Sequence, residues 1–121
     1  MNPRWDVQQR IQQRRMPEVG IATLAIVIPC TDQACLVQDA VEAALSLDGV
    51  DVRVVVVDDA SSDSTCLVRR TFQGRDRVGW IRTHAPQGPV VARNLGLTYC
   101  QTDAVGFLDP ASVCRKRLQA V

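Results

Sequence analysis

Two runs of aliphatic residues constrain the fold of this chain more than any other feature. They are LAIVI at 24–28 and VRVVVV at 52–57, the second interrupted only by Arg53. Continuous apolar runs of this length, rich in Val and Ile, are typical of strands that are buried on both faces. Such strands usually lie parallel in a sheet, and each parallel pair needs a crossover connection, most often a helix. The two runs therefore predict a parallel sheet covered by helices.

The rest of the chain continues the alternation of strands and helices. Asp32 is expected to cap the first helix, whose apolar residues recur at helical spacing until Asp48-Gly49 ends it. The pattern indicates an α/β fold, with a mostly parallel sheet of about four strands and helices on both faces. The predicted strands are 24–28, 52–57, 78–82 and 104–108, and the later helices carry the apolar residues of 67–72 and 91–97.

Composition excludes several classes of protein. The 121 residues suffice for one domain, and 14 basic against 13 acidic residues give no electrostatic case for nucleic-acid binding. No apolar stretch approaches the roughly 18–20 residues of a membrane span, and the polar N-terminus lacks the apolar core of a secretory signal. We therefore expect a cytoplasmic protein without a transmembrane segment. The five cysteines form no CxxC pair, which favours free thiols over a zinc site or a disulfide framework.

The chain divides into three parts by composition. Residues 1–20 read as a polar leader, 21–114 as the folded domain, and 115–121 as a basic tail. Basic runs of this kind are usually solvated, and contact with an anionic membrane surface is the alternative.

Candidate site residues follow the predicted strands, where parallel sheets bind their ligands. Asp58 and Asp59 leave the second strand side by side, and a carboxylate there can accept hydrogen bonds from a base N–H or a ribose hydroxyl. Ser61 follows them, and its alternative role is to cap a helix. No GxxxxGK[ST] and no GxGxxG motif is present, so phosphates would have to be held by a metal and an arginine.

Three further side chains lie near the same edge of the predicted sheet. Arg93 could pair with a diphosphate or brace Asp59, although a surface arginine is the simpler interpretation. Asp109 could hold a divalent cation, or could be a turn residue before Pro110. His84 is the only histidine, and a lone loop histidine is more often structural than catalytic.

Four segments resemble, in order and spacing, those of the family 2 glycosyltransferases. They are LAIVIPCTDQ, VRVVVVDDASSDST, VVARNLGL and AVGFLDP. The matching family segments are an apolar strand ending in Pro, Val-Asp-Asp-Gly-Ser-x-Asp-x-Thr, Ala-Arg-Asn-x-Gly and Phe-Leu-Asp-x-Asp-Asp. The resemblance implies the Rossmann-like, nucleotide-binding half of a GT-A fold. It further implies binding of a nucleotide diphosphate sugar, often a UDP-sugar, for inverting glycosyl transfer.

The resemblance also implies a role for particular residues and a divalent cation, Mn²⁺ or Mg²⁺. Asp58 or Asp59 would contact the base, and Arg93 would lie beside the nucleotide. Asp109 would be the first carboxylate of the metal-binding DxD motif. The implied nucleotide-sugar-binding residues are Pro29, Cys30, Thr31, Asp32, Asp58, Asp59, Ser61, Arg93 and Asp109.

The chain departs from the family pattern at two places that matter for activity. Ala111 and Ser112 stand where the family has the last two carboxylates of Asp-x-Asp-Asp, so weak metal binding is expected unless a diphosphate supplies most ligands. The family's catalytic base and acceptor site normally lie beyond this point, and the chain ends at Val121. We therefore expect the catalytic half to be missing, assign no catalytic residue, and leave open whether the chain is an enzyme.

Two other classes of function are the alternatives. One is a non-catalytic binding or scaffold domain of GT-A ancestry. The other is a phosphoacceptor receiver domain, which is disfavoured because its acidic pair should follow the first strand, not the second. Four strands would also leave an open sheet edge, which predicts a homo-oligomer or a partner domain that covers it.

Overall fold

The computed structural model describes residues 22–62 and 65–112, so the predicted leader and basic tail lie outside the described residues. Strands and helices alternate along this part of the chain, as the sequence predicts. The strands are β1 (Thr23–Cys30), β2 (Asp51–Asp58), β3 (Val78–Arg82) and β4 (Ala104–Phe107). The helices are α1 (Ala34–Leu45), α2 (Thr65–Thr71) and α3 (Pro89–Thr98).

The four strands form one parallel sheet in the order β3-β2-β1-β4. Thr23 pairs with Asp51 and Cys30 with Asp58, so β1 and β2 end level with each other. Strands β2 and β3 follow on one side of β1, and β4 then pairs with the other side of β1. The strand order therefore reverses between β1 and β4, the position at which open α/β sheets form a ligand crevice.

The larger core lies between the sheet and the pair α1 and α2. Alternate residues of β2 point into it, because side chains in a strand alternate between the two faces. Helix α1 contributes residues at helical spacing, and Phe72 closes the core beyond the end of α2. The fully or nearly fully buried members are Ile28, Cys30, Val37, Ala40, Val41, Ala44, Val52, Val54, Val56 and Phe72.

Within residues 22–62 and 65–112, α3 is the helix that covers the opposite face of the sheet, so helices lie on both faces as predicted. The smaller core between this face and α3 contains the buried residues Val27, Val57 and Ala92. Gly96 lets the helix approach closely: a Cβ atom at this position would lie 2.4 Å from a methyl carbon of Val27 and 3.1 Å from one of Val57. No larger side chain fits at Gly96 without moving α3 away from the sheet.

The start of α1 differs from the sequence prediction. The helix begins at Ala34, and the preceding Gln33 makes no side-chain capping bond. Asp32 has a φ of 51°, in the left-handed region, and its carboxylate instead accepts a hydrogen bond from the backbone N–H of Ser62. The predicted capping role of Asp32 is therefore wrong, because this side chain is turned toward the exit of β2.

Candidate functional site

A crevice of about 800 Å³ lies at the carboxyl ends of β1 and β4, where the strand order reverses. It brings together six of the nine residues that the sequence analysis proposed for nucleotide-sugar binding. These are Pro29, Cys30, Thr31, Asp59, Arg93 and Asp109. Apolar side chains from β1, α1 and β4 line the rest, among them Ile26, Ala44 and Phe107.

Asp58 and Asp59 are adjacent in sequence but have separate surroundings. Asp58 is completely buried and does not line the crevice. One of its carboxylate oxygens accepts the backbone N–H of Ser61 at 3.0 Å, and the other accepts Arg82 Nη1 at 3.2 Å. Arg82 also donates to the carbonyl of Ser61 at 2.9 Å. Asp58 therefore holds the turn after β2 and joins it to the end of β3.

Asp59 faces the crevice and fastens the loop between β3 and α3. Its Oδ1 accepts the hydroxyl of Thr83 at 2.8 Å and the backbone N–H of Gln87 at 2.9 Å. Its Oδ2 accepts the backbone N–H of Gly88 at 2.9 Å. Burial alone would raise the pKa of Asp59, but the bonds from Gln87, Thr83 and Gly88 together lower it below its ordinary value. The side chain is therefore an anion at neutral pH.

The exit of β1 is tied to the exit of β2 by side chains of both turns. The backbone N–H of Asp32 donates to the hydroxyl of Ser61 at 2.9 Å. In return, the Asp32 carboxylate accepts the N–H of Ser62 at 2.7 Å. Ser61 is buried and neither Asp32 nor Ser61 lines the crevice, so both hold the two strand exits together and neither faces a ligand there.

Helix α3 forms one wall of the crevice through Pro89, Ala92 and Arg93. Gly88, which precedes the helix, has a φ of 93°, a conformation that glycine adopts without strain. Arg93 is exposed and makes no ion pair with any residue in the described ranges. The hydrogen bonds of Asp59 go to other residues, so the expected brace between Arg93 and Asp59 is not formed. The guanidinium is available to an anionic ligand.

Asp109 and Ser112 form the opposite wall, after β4. Asp109 is exposed, and its Oδ1 accepts the backbone N–H of Ala111 at 2.9 Å. In residues 22–62 and 65–112 no three His, Cys, Asp or Glu side chains form a group that could hold a metal ion. A divalent cation here would therefore have Asp109 as its carboxylate ligand and would need further oxygens from the bound ligand.

His84 is exposed in the loop after β3 and does not line the crevice. Sequence reasoning missed Thr83, Gln87 and Gly88, the three residues that hold Asp59. A hydroxyl directly after a predicted strand is the signal that could have identified Thr83. The two backbone donors have no counterpart in sequence, because any residue but proline supplies an N–H group.

The sequence of this chain matches the family model described as glycosyl transferase family 2 over residues 25–118. The chain belongs to that family. An uncharacterized glycosyltransferase of Haemophilus influenzae is 29% identical over 92 residues, which are 75% of this chain and 37% of the relative. The GalNAc(5)-diNAcBac-PP-undecaprenol beta-1,3-glucosyltransferase of Campylobacter jejuni is 31% identical over 88 residues, 71% of this chain and 28% of the relative.

Solved structures give the same fold at lower sequence identity. S. aureus TarS 1–349 in complex with UDP-GlcNAc has a TM-score of 0.67 and 20% identity, over 81% of this chain and 30% of the TarS 1–349 chain. The mannosyltransferase PcManGT from Pyrobaculum calidifontis, in complex with GDP-Man and Mn²⁺, has a TM-score of 0.66 and 19% identity, over 86% and 34%. The GT-A, Rossmann-like fold expected from the sequence is thus confirmed.

The chain corresponds to only part of its relatives. The matches with these two curated proteins span 37% and 28% of their lengths. Within the described ranges, no helix is long and apolar enough to cross a bilayer.

Proposed function

We propose that this chain binds a nucleotide diphosphate sugar, with a UDP-sugar as the first candidate, and that it does so as the donor-binding part of an inverting glycosyltransferase. The observation that carries the proposal is the crevice itself. It lies where the strand order reverses. It combines the ionised carboxylate of Asp59, the exposed carboxylate of Asp109 and the guanidinium of Arg93, which has no ion pair among the described residues. UDP-GlcNAc and GDP-Man in the two structural neighbours support the class of ligand.

Asp59 is suited to recognise the base. Each carboxylate oxygen has two lone pairs; Oδ1 uses both on Thr83 and Gln87, and Oδ2 uses one on Gly88. The second lone pair of Oδ2 can accept one N–H donor from a ligand. The N3–H group of uracil is such a donor. UDP is therefore a better candidate ligand than CDP, because cytosine has an acceptor at that position.

Arg93 and Asp109 are suited to the diphosphate from opposite walls. The guanidinium of Arg93 offers paired donors to phosphate oxygens. Asp109 would repel phosphates by itself, so it needs a divalent cation between its carboxylate and the diphosphate. Mn²⁺ in the complex of the structural neighbour PcManGT supports this role for the cation. When bound, the cation would stabilise the negative charge of the departing diphosphate.

The described residues supply donor binding and no general base for the acceptor. Of the two carboxylates that line the crevice, Asp59 is held by three hydrogen bonds and Asp109 is the metal candidate. A base for the acceptor hydroxyl therefore has to come from outside the described residues. The cytoplasmic location and the homo-oligomer or partner domain that would cover the open sheet edge stay predictions.

The alternative function is a non-catalytic binding or scaffold domain of the same fold. One observation favours it: Ala111 and Ser112 occupy the positions of the two carboxylates that follow Asp109 in the family motif. A scaffold domain would keep the fold and lose nucleotide affinity.

Calorimetric titration with UDP distinguishes the two functions. We expect saturable binding of UDP, tighter with Mn²⁺ than with EDTA, and weaker binding of CDP, whose base offers no N–H donor to Asp59 at N3. Arg93→Gln should weaken the binding, because the shorter, neutral amide loses the charge and the paired donors of the guanidinium. The matched control is Arg69→Gln, which removes an exposed arginine of α2 that does not line the crevice. Absence of binding to every nucleotide would refute the proposal and leave the scaffold function.

A further inference from the structure

The loop between β3 and α3 is held at the crevice by three hydrogen bonds to one carboxylate. The donors to Asp59 are Thr83, Gln87 and Gly88, all within the six residues that connect β3 to α3. Gly88 is also the residue before α3, and its carbonyl accepts the N–H of Ala92 in the first turn. The orientation of Asp59 and the start of α3 therefore depend on each other.

Thr83 is the one donor among the three that uses its side chain. Its backbone N–H extends the pairing of β3 with β2 by donating to the carbonyl of Asp58 at 3.0 Å. This places the hydroxyl 2.8 Å from Asp59 Oδ1, at a side chain that is only 9% exposed. Thr83 does not line the crevice, so its hydroxyl reaches a ligand only through Asp59.

The hydroxyl fixes which lone pair of Asp59 is free. Thr83 and Gln87 together occupy Oδ1, and Gly88 fixes Oδ2, which leaves the unused acceptor on Oδ2. Without the hydroxyl, Oδ1 keeps only the bond from Gln87, and the carboxylate can turn its second acceptor away from the ligand. The free acceptor of Asp59 would then be mobile instead of held in one direction. Ligand binding would have to order the carboxylate and the loop again, which costs affinity.

We propose that Thr83 is a positioning residue for nucleotide binding, which orients the Asp59 carboxylate and couples it to the start of α3. The inference rests on the proposed function and adds to it a residue that touches no ligand. The loop that Asp59 holds leads directly into α3, the helix that begins at Pro89 and carries Arg93. Thr83 therefore acts on both the base end and the phosphate end of the site.

The test compares Thr83→Val with Thr83→Ser. Valine has the same shape as threonine and lacks the hydroxyl, whereas serine keeps the hydroxyl and loses the methyl group. We expect Thr83→Val to weaken UDP binding by about fivefold to tenfold, less than the more than roughly tenfold effect of a directly lost hydrogen bond to a charged group, because Thr83 acts on the ligand only through Asp59. Thr83→Ser should restore affinity to within about twofold of the original chain. Amide hydrogen exchange at Gln87 and Gly88 should be faster in the valine variant only.

The matched control is Thr98→Val, which removes a hydroxyl bonded to the carbonyl of Leu95 at the far end of α3. It should leave UDP affinity unchanged. Equal affinity of Thr83→Val and the original chain would refute the inference while the proposed function stands. Equally weak binding by the serine and valine variants would also refute it, since packing of the methyl group would then be the cause. Failure of the original chain to bind UDP would refute the proposed function and this inference with it.

Discussion

On the α3 side of the crevice, Asp59 accepts hydrogen bonds from three residues that lie 24 to 29 positions further along the chain. On the β4 side, Asp109 accepts one, from Ala111 two positions away. The first wall is thus built by tertiary contacts and the second by a local turn. A ligand meets a pre-arranged acceptor at one wall and an exposed, locally held carboxylate at the other.

This difference indicates how the two ends of the donor would be recognised. Binding to a fixed group costs less ordering than binding to a mobile one, so the α3 wall should carry most of the affinity. The β4 wall should contribute chiefly when a divalent cation joins Asp109 to the diphosphate. Each of the following predictions changes one of the two walls, and the Asp59→Asn and Asp109→Asn pair compares them directly.

The largest effect is expected from Gly96→Ala, which breaks the packing of the α3 wall. The new Cβ atom would lie 2.4 Å from a methyl carbon of Val27, which is fully buried and cannot move aside freely. Overpacking strain exceeds the gain of about 1 kcal/mol in helix propensity, so we expect a loss of at least about 2 kcal/mol in the free energy of unfolding. Urea denaturation measures it.

Gly79→Ala is the control for that substitution. A Cβ atom at Gly79 would have only the carbonyl oxygen of Val54 nearby, at 3.8 Å, which is an ordinary contact. Its stability should change by less than about 0.5 kcal/mol. Equal stability of Gly96→Ala and the original chain would show that α3 does not rest on the sheet as described.

The next effect is expected from Asp59→Asn. Asparagine keeps the shape of the side chain and removes its charge. Its NH₂ group is a donor, so it faces either the N–H donors of the loop or the N–H donor of the ligand and can accept from neither. We expect a loss of about 1.5 kcal/mol in the free energy of unfolding together with the loss of measurable UDP binding. Asp109→Asn should stay within about 0.5 kcal/mol, because its side chain is exposed. Similar destabilisation by both substitutions would contradict the difference between the walls.

The stability difference between the original chain and Asp59→Asn should depend on pH. The folded pKa of Asp59 lies below its ordinary value; burial would raise it, but the three hydrogen bonds outweigh burial. The ionised side chain therefore stabilises the fold fully above the unfolded pKa of about 3.9, and this contribution is lost as pH falls through the folded pKa. Denaturation between pH 7 and pH 3 should show the difference shrinking only below about pH 4. A constant difference across that range would contradict this account of Asp59.

The smallest effect on stability is expected from changing the number of carboxylates in the β4 wall. These substitutions should instead change how much Mn²⁺ increases the affinity for UDP. Asp109→Asn should abolish the gain in UDP affinity that Mn²⁺ provides, and it should slightly raise the metal-free affinity because it removes a carboxylate that repels phosphates. The double substitution Ala111→Asp and Ser112→Asp should increase that gain, because carboxylates are better ligands for a dication than a methyl group or a hydroxyl. An Mn²⁺ effect that is indifferent to both changes would place the metal elsewhere.

The sequence was sufficient to predict what depends on local patterns. The apolar runs of β1 and β2 predicted buried parallel strands, and Val78–Arg82 was predicted with the bounds observed. The residues after β1, β2 and β4 were expected to form one site, because parallel strands end at one edge of the sheet. The crevice brings together Thr31, Asp59 and Asp109 at that edge.

What the sequence could not give depends on contacts between distant residues. Aspartate is a common helix-capping residue, but the carboxylate of Asp32 accepts a hydrogen bond from Ser62, 30 positions away, and is turned toward the exit of β2. Asp58 and Asp59 have separate roles because their side chains meet different partners in the folded chain. Two adjacent aspartates in the sequence do not show which of them will face the crevice. Thr83 acquires its role only because β3 pairs with β2 and ends beside Asp59.

The central claim, that the crevice binds a nucleotide diphosphate, is tested most directly by mapping amide chemical shifts during titration with UDP and Mg²⁺. The account predicts saturable shifts at the amides of Thr31, Gly88 and Arg93, with little change at Gly74 and Gly79, which do not line the crevice. Shifts centred on Gly74 and Gly79, or no shifts at all, would contradict it.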